Sequence, residues 1–123
     1  MKYGIALLLI AVILAAGCIG QSGAPTASAV TGTDIIEFYG AECPHCLAMQ
    51  PVVAQVEAEL DINITKLEVW HDENNQAKFL EYESFVAPAC GGGMGVPAFV
   101  NLRTGKAKCG ELTAPELKAF ITG

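Results

Sequence analysis

Ile35-Ile36-Glu37-Phe38-Tyr39-Gly40-Ala41-Glu42-Cys43-Pro44-His45-Cys46-Leu47-Ala48-Met49 is the stretch on which the fold turns. Its first five residues are apolar and rich in β-formers, with a single carboxylate among them, and predict a buried strand. Gly40 and Ala41 end that strand. From Pro44 onward, apolar residues recur at Leu47, Met49, Val52, Val53, Val56 and Leu60, mainly on one helical face. A helix is therefore predicted over Pro44 to Leu60, with Pro51 inside it as a kink. The Cys43-Pro44-His45-Cys46 segment thus falls where a strand hands over to a helix. Amides at a helix N-terminus stabilise negative charge, and the thiolate is the nucleophile of disulfide exchange. Cys43 is expected to be the exposed thiol that attacks, and Cys46, one turn deeper, the one that resolves the mixed disulfide. His45 lies between them and can add positive charge or a hydrogen bond beside the Cys43 sulfur. A structural disulfide or half of a zinc site are the other readings. Zinc would want a second closely spaced ligand pair, whereas Cys90 and Cys109 are far apart in sequence and His71 is solitary.

Outward from this centre, Ile64 to Trp70 reads as a second strand. Asp72 to Asn75 starts a helix that Ala77, Phe79, Leu80, Tyr82 and Phe85 continue. Gly91-Gly92-Gly93 is a loop, and Val96 to Leu102 a third strand that begins at a proline. Thr104-Gly105 turns the chain into a short fourth strand ending near Gly110. Thr113 caps a last helix whose inner face carries Leu117, Phe120 and Ile121. The order is βαβαββα. The first two strands, joined through a helix, should be parallel with a right-handed crossover, and the last two should form an antiparallel hairpin. A mixed four-stranded sheet with helices on its faces follows.

Further out, the N-terminal region is not domain. Lys2 and Tyr3 precede an apolar run from Ile5 to Ala16, too short for a comfortable membrane span but fit for a signal-peptide core. Ala15-Ala16-Gly17-Cys18 resembles a lipobox, in which cleavage leaves Cys18 as a lipid-bearing N-terminus; an uncleaved signal anchor is the alternative. Either reading places the rest outside the cytoplasm, attached to a membrane. Residues 21–33 are almost entirely Gly, Ser, Ala, Thr and Pro and read as a tether. The expected organisation is a signal peptide over 1–17, a lipid-anchor cysteine and linker over 18–33, and a folded domain over 34–123. A net charge of −6 argues against nucleic acid as a partner.

The domain resembles the thioredoxin superfamily over nearly its whole length. Glu37 to Cys46 is similar to the active-site segment of DsbA-type disulfide oxidoreductases, which share the Cys-Pro-His-Cys form and so bring Pro44 into the site. The resemblance places Glu37 as the buried acidic residue beneath the second cysteine, Pro51 at the helix kink, and Gly95-Val96-Pro97-Ala98 as the cis-proline loop facing the cysteines. It implies a minimal thioredoxin-like sheet of order 2-1-3-4, with Val96 and Pro97 presenting backbone to an extended substrate. The N-terminal strand and helix of full thioredoxins and the helical insertion of DsbA are missing. Glu42 replaces the tryptophan that thioredoxins carry before the first cysteine, and the loop before Pro97 is extended over 88–94. A buried carboxylate at Glu37 would have a raised pKa and relay a proton to or from Cys46; pairing with a lysine or pointing to solvent is the alternative.

Five cysteines in a short exported chain suggest thiol chemistry or disulfides. Once Cys18 is given lipid and Cys43 and Cys46 the redox role, Cys90 and Cys109 remain as a candidate second disulfide. Met94, near the cis-proline loop, is a packing residue that could touch substrate. The expected function is thiol–disulfide exchange with exported proteins or a membrane-bound redox partner, with no cofactor, running as oxidase or isomerase more readily than as reductase. The rival from another class is a metal-binding or chaperone module that takes a soft metal such as Cu(I) through Cys43, His45 and Cys46, with Met94 as a further candidate ligand.

Overall fold

The computed structural model describes residues 34–123, so the predicted signal peptide, Cys18 and the tether lie outside the described residues. Strand β1 (Ile35–Tyr39) lies at the centre of a four-stranded sheet of order β2-β1-β3-β4, where β2 is Thr65–Glu68, β3 Ala98–Asn101 and β4 Lys106–Cys109. β1 runs parallel to β2 and antiparallel to β3, and β3 runs antiparallel to β4. This is the expected thioredoxin-like sheet. β2 and β3 are each shorter than the apolar runs that announced them.

Side-chain alternation along β1 divides the core in two. Ile35 points to the face covered by helices α1 (Pro44–Leu60) and α4 (Ala114–Thr122), where it packs with Met49, Val53, Val56, Phe99, Leu117 and Ile121. Ile36 and Phe38 point to the opposite face, onto Val69, Phe79, Val86, Ala98 and Val100. Period two therefore places Glu37 on the α1 side, under the helix that carries both cysteines.

α1 spans the predicted residues. Its inward row is Cys46, Met49, Val53 and Val56, and Leu47, expected on that face, is 48% exposed. Leu47 sits one position past the buried row, roughly 100° around a 3.6-residue helix. α4 begins with the cap foreseen at Thr113, and the structure makes it reciprocal: the Thr113 hydroxyl accepts from the Glu116 amide while the Glu116 carboxylate accepts from the Thr113 amide.

The single helix expected after Asp72 is two helices, α2 (Glu73–Leu80) and α3 (Glu83–Ala89), so the order is βαβααββα. At the break, the amides of Glu81 and Tyr82 bond to carbonyls three residues back, at Lys78 and Phe79, and the Tyr82 carbonyl then starts a new helix. Tyr82 contributes its ring to the cluster, 5.8 Å from that of Phe38, beside Phe79 at 4.6 Å. Burying these rings and Val86 against one twisted sheet redirects the chain, which carries the end of α3 to β4. Local helix periodicity runs unbroken through Tyr82 and could not reveal this. Among the described residues no helix is long and apolar enough to cross a membrane.

Candidate active site

Cys43 is the N-cap of α1, with extended backbone (φ −71°, ψ 117°), and Pro44 follows at the first helical position, where a missing N–H costs nothing. The Cys43 sulfur accepts the amide of Cys46 at 3.3 Å, so the two cysteines face each other across the first turn. Neither is bonded to another sulfur. Both are buried, Cys43 at 4% and Cys46 at 2% exposure, which corrects the expectation that Cys43 is exposed. The cover comes from the loop before β3: the Val96–Pro97 peptide bond is cis, and the Val96 carbonyl lies 3.8 Å from the Cys43 sulfur, accepting its weak S–H donor. The Gly110 amide donates to the Pro97 carbonyl at 2.8 Å and fixes this loop to the end of β4.

Glu37 lies beneath Cys46, 4% exposed. Burial lifts its carboxyl from 4.5 to about 7, against the attraction of Lys66 and with a smaller push from Glu57. Burial likewise raises the Cys46 thiol to about 12, helped by its hydrogen bond with Cys43 and opposed by one from the Gly40 backbone. A cleft of about 260 Å³, lined by Glu37, Cys46, Gln50, Glu57 and Lys66, joins this pair to solvent. Glu37 thus neither forms a hydrogen-bonded pair with a lysine nor points outward: Lys66 is bonded to Glu57 at 2.8 Å.

His45 departs from its expected place. Its Nδ1 is 2.6 Å from Glu111 Oε1, with both side chains largely in water, and the ring is held toward the loop after β4. On the other side of the cysteines, His71 Nε2 meets the Glu42 carboxylate at 2.8 Å, which raises the His71 pKa. Glu68 accepts the amides of Ala41, Trp70 and His71, tying the loop before Cys43 to the end of β2. Glu111, Glu68 and Glu57 were not foreseen; Glu68 and Glu111 reach the site from β2 and from the loop after β4 with no local spacing to mark them, while Glu57 lies about three turns along α1 on the Cys46 face, where helical spacing could have found it.

A second cleft, of about 420 Å³, opens beside the cis bond and is lined by His45, Val96, Pro97, Glu111 and the two remaining cysteines. Cys90 and Cys109 are joined by a disulfide, with Cα atoms 5.1 Å apart. Met94 lines this cleft and also an adjoining apolar one of about 290 Å³ with Trp70 and Leu80. Among the described residues, no three His, Cys, Asp or Glu side chains converge as a metal-binding set. His45 is bonded to Glu111 instead of joining the two thiols.

No protein-family model matches the chain, and no curated protein matches it. Among solved structures, it is similar to a thiol:disulfide interchange protein, a thioredoxin family protein from Chlorobium tepidum TLS. The identity is 16%, with 76% of this chain and 83% of that chain covered, at a TM-score of 0.49. By its own strand order and crossover the chain has a thioredoxin-like fold, with Cys43 and Cys46 at the N-terminus of its first helix.

Proposed function

We propose that this protein is a thiol–disulfide oxidoreductase that exchanges disulfides with exported proteins, or with a membrane-bound redox partner, through Cys43 and Cys46. The observation that carries the reading is the stack of Glu37, Cys46 and Cys43 beneath the Val96 carbonyl. A substrate disulfide is attacked by the Cys43 thiolate, giving a mixed disulfide and a substrate thiolate. Cys46 holds its proton tightly and needs a base to become the second nucleophile. In this reading Glu37, with a pKa near neutrality, takes that proton and passes it to solvent through the cleft beside Lys66. The Cys46 thiolate then attacks the Cys43 sulfur, releasing the second substrate thiol and closing the Cys43–Cys46 disulfide. The reverse sequence donates a disulfide. An extended substrate can align along the Val96 backbone as an added strand, displacing the weak contact to Cys43.

Within this reading we favour the oxidase or isomerase direction. The Cys46 amide faces the Cys43 sulfur at the N-terminus of α1, where the helix favours negative charge. Equilibration with glutathione is the test. A reduction potential above roughly −200 mV supports an oxidant, and one near about −270 mV, the thioredoxin value, overturns that direction. Failure of a Cys43→Ser/Cys46→Ser variant to differ from wild type in insulin reduction would sink the exchange reading itself. Attachment to the outer face of the cytoplasmic membrane through lipid on Cys18 belongs to the same proposal. The intact mass of membrane-extracted protein tests it, since a mature chain that still begins at Met1 rejects it.

A further inference from the structure

Two sulfur pairs border the same loop. The Cys43 sulfur lies 3.8 Å from the Val96 carbonyl oxygen, and the Cys90 sulfur lies 3.7 Å from that of Gly95, the preceding residue. Successive residues are only about 3.8 Å apart along the chain, so a single peptide unit separates the contacts of the two pairs. Cys90, Cys109, His45 and Val96 line one open cleft, and both bridged cysteines are half-buried, where a bridge serving only as a staple has no need of access. Gly95 leaves the bridge uncovered: a Cβ there would lie 3.5 Å from the sulfurs of both Cys90 and Cys109. The two ends of the bridge are held differently. Cys109 is fixed in β4, paired with Ala98. Cys90 caps the end of α3 and is followed by Gly91 and Gly92, with φ of +80° and +113°, where an added side chain would meet nothing within 4 Å. That loop has the conformational freedom and the space to let Cys90 travel.

We propose that Cys90–Cys109 is a second redox couple, which accepts the electron pair of the Cys43–Cys46 dithiol within one molecule. The proposal rests on the exchange chemistry assigned above to Cys43 and Cys46. The Cys43 thiolate attacks the Cys90 sulfur; a Cys43–Cys90 bond forms, the Cys90–Cys109 bond breaks, and Cys109 leaves as a thiolate. Cys46 gives its proton to Glu37 and attacks the Cys43 sulfur, so that Cys90 leaves in turn. One disulfide has moved, two electrons have passed from Cys43–Cys46 to Cys90–Cys109, and the two protons end on Cys90 and Cys109 by way of Glu37 and water. The reduced outer pair then faces the cleft, open to reoxidation by a small disulfide such as glutathione disulfide.

The full chain is titrated between reduced glutathione and glutathione disulfide, quenched in acid, alkylated, and mapped by mass spectrometry for both pairs. The bridge is expected to open over the range in which Cys43–Cys46 becomes reduced. Cys43→Ser should slow that opening at least tenfold, and Cys46→Ser should accumulate a Cys43–Cys90 linked peptide. A bridge that stays closed while Cys43–Cys46 goes fully to dithiol overturns the relay and leaves the exchange reading standing. So does an opening rate unaltered by Cys43→Ser, or the absence of the linked peptide in Cys46→Ser. If Cys43–Cys46 does not itself exchange with glutathione, both readings fall.

Discussion

At the scale of single residues, Glu37 dominates the chemistry because it is a carboxylate with nowhere to put its charge. Its pKa of about 7 in the folded chain lies above the ordinary 4.5, so the folded state binds the proton more tightly than the unfolded one. The associated stability is fully present below pH 4.5 and is lost as pH rises through about 7. Glu37→Gln has no such dependence. Between pH 4 and pH 8 wild type should lose on the order of 3 kcal/mol relative to the variant, at about 1.4 kcal/mol per pH unit of displacement; urea unfolding at the two pH values measures it. The same substitution should slow release of the mixed disulfide roughly tenfold or more and abolish its acceleration as pH rises through neutrality. A retained acceleration would assign the base elsewhere. His45 is the second residue whose neighbour matters. The Glu111 carboxylate holds its ring toward the loop after β4 and would offset any positive charge on it. Glu111→Gln should therefore raise the reduction potential of Cys43–Cys46, and His45→Gly should lower it, by tens of millivolts where about 30 mV corresponds to a tenfold change in equilibrium. Exposed pairs of this kind contribute little to folding, so both variants should unfold close to wild type.

At the scale of elements, two contacts join pieces that look independent in sequence. Asn101, fully buried at the end of β3, donates to the carbonyls of Phe120 and Ile121 in α4. Its side-chain oxygen accepts the amides of Arg103 and Thr104 in the turn to β4. One side chain thus holds a hairpin turn against a helix end, and Asn101→Ala would leave buried backbone groups unpaired. A loss of about 2–4 kcal/mol in urea unfolding, with little change in slope, is expected. At the other end of the sheet, Gly40 lies directly under the Trp70 indole, and a Cβ there would fall 2.3 Å from the ring. Gly40→Ala must push the ring aside. The chain has one tryptophan, so its fluorescence reports the displacement without interference, as a shift to the red. An unchanged spectrum would mean that the loop, not the ring, gives way.

At the scale of the whole molecule, about 90 residues form one modest core, for which a stability of roughly 5–9 kcal/mol is ordinary. The Cys90–Cys109 bridge, at a sequence separation of 19, runs from the end of α3 to the end of β4 and closes a loop containing the glycine segment, β3 and β4. Removing it through Cys90→Ala/Cys109→Ala should lower stability by about 3 kcal/mol, mainly by freeing the unfolded chain. The variant should remain folded at 25 °C, as far-ultraviolet circular dichroism would register. Collapse of the fold would make the bridge a requirement for structure and not only a stabiliser.

The sequence by itself determined the elements whose signals are local. The run of β-formers at Ile35–Tyr39, the cysteine spacing at the head of α1, the turn at Thr104-Gly105 and the cap at Thr113 each depend on neighbours within a few residues. From these the succession of strands along the chain and the position of Cys43 and Cys46 at a strand–helix junction followed, whereas the sheet order and the place of Glu37 beneath Cys46 came from the resemblance to the thioredoxin superfamily. Only the tertiary structure decided where α2 gives way to α3, because packing of Phe79, Tyr82 and Val86 on the sheet overrides an unbroken helical pattern. It also decided that His45 turns to Glu111, that the Val96 carbonyl buries Cys43, and that the candidate pair Cys90 and Cys109 is bonded beside the same cleft. Each of these joins residues distant in the chain, through distances and orientations that exist only once the sheet has brought its loops to one end.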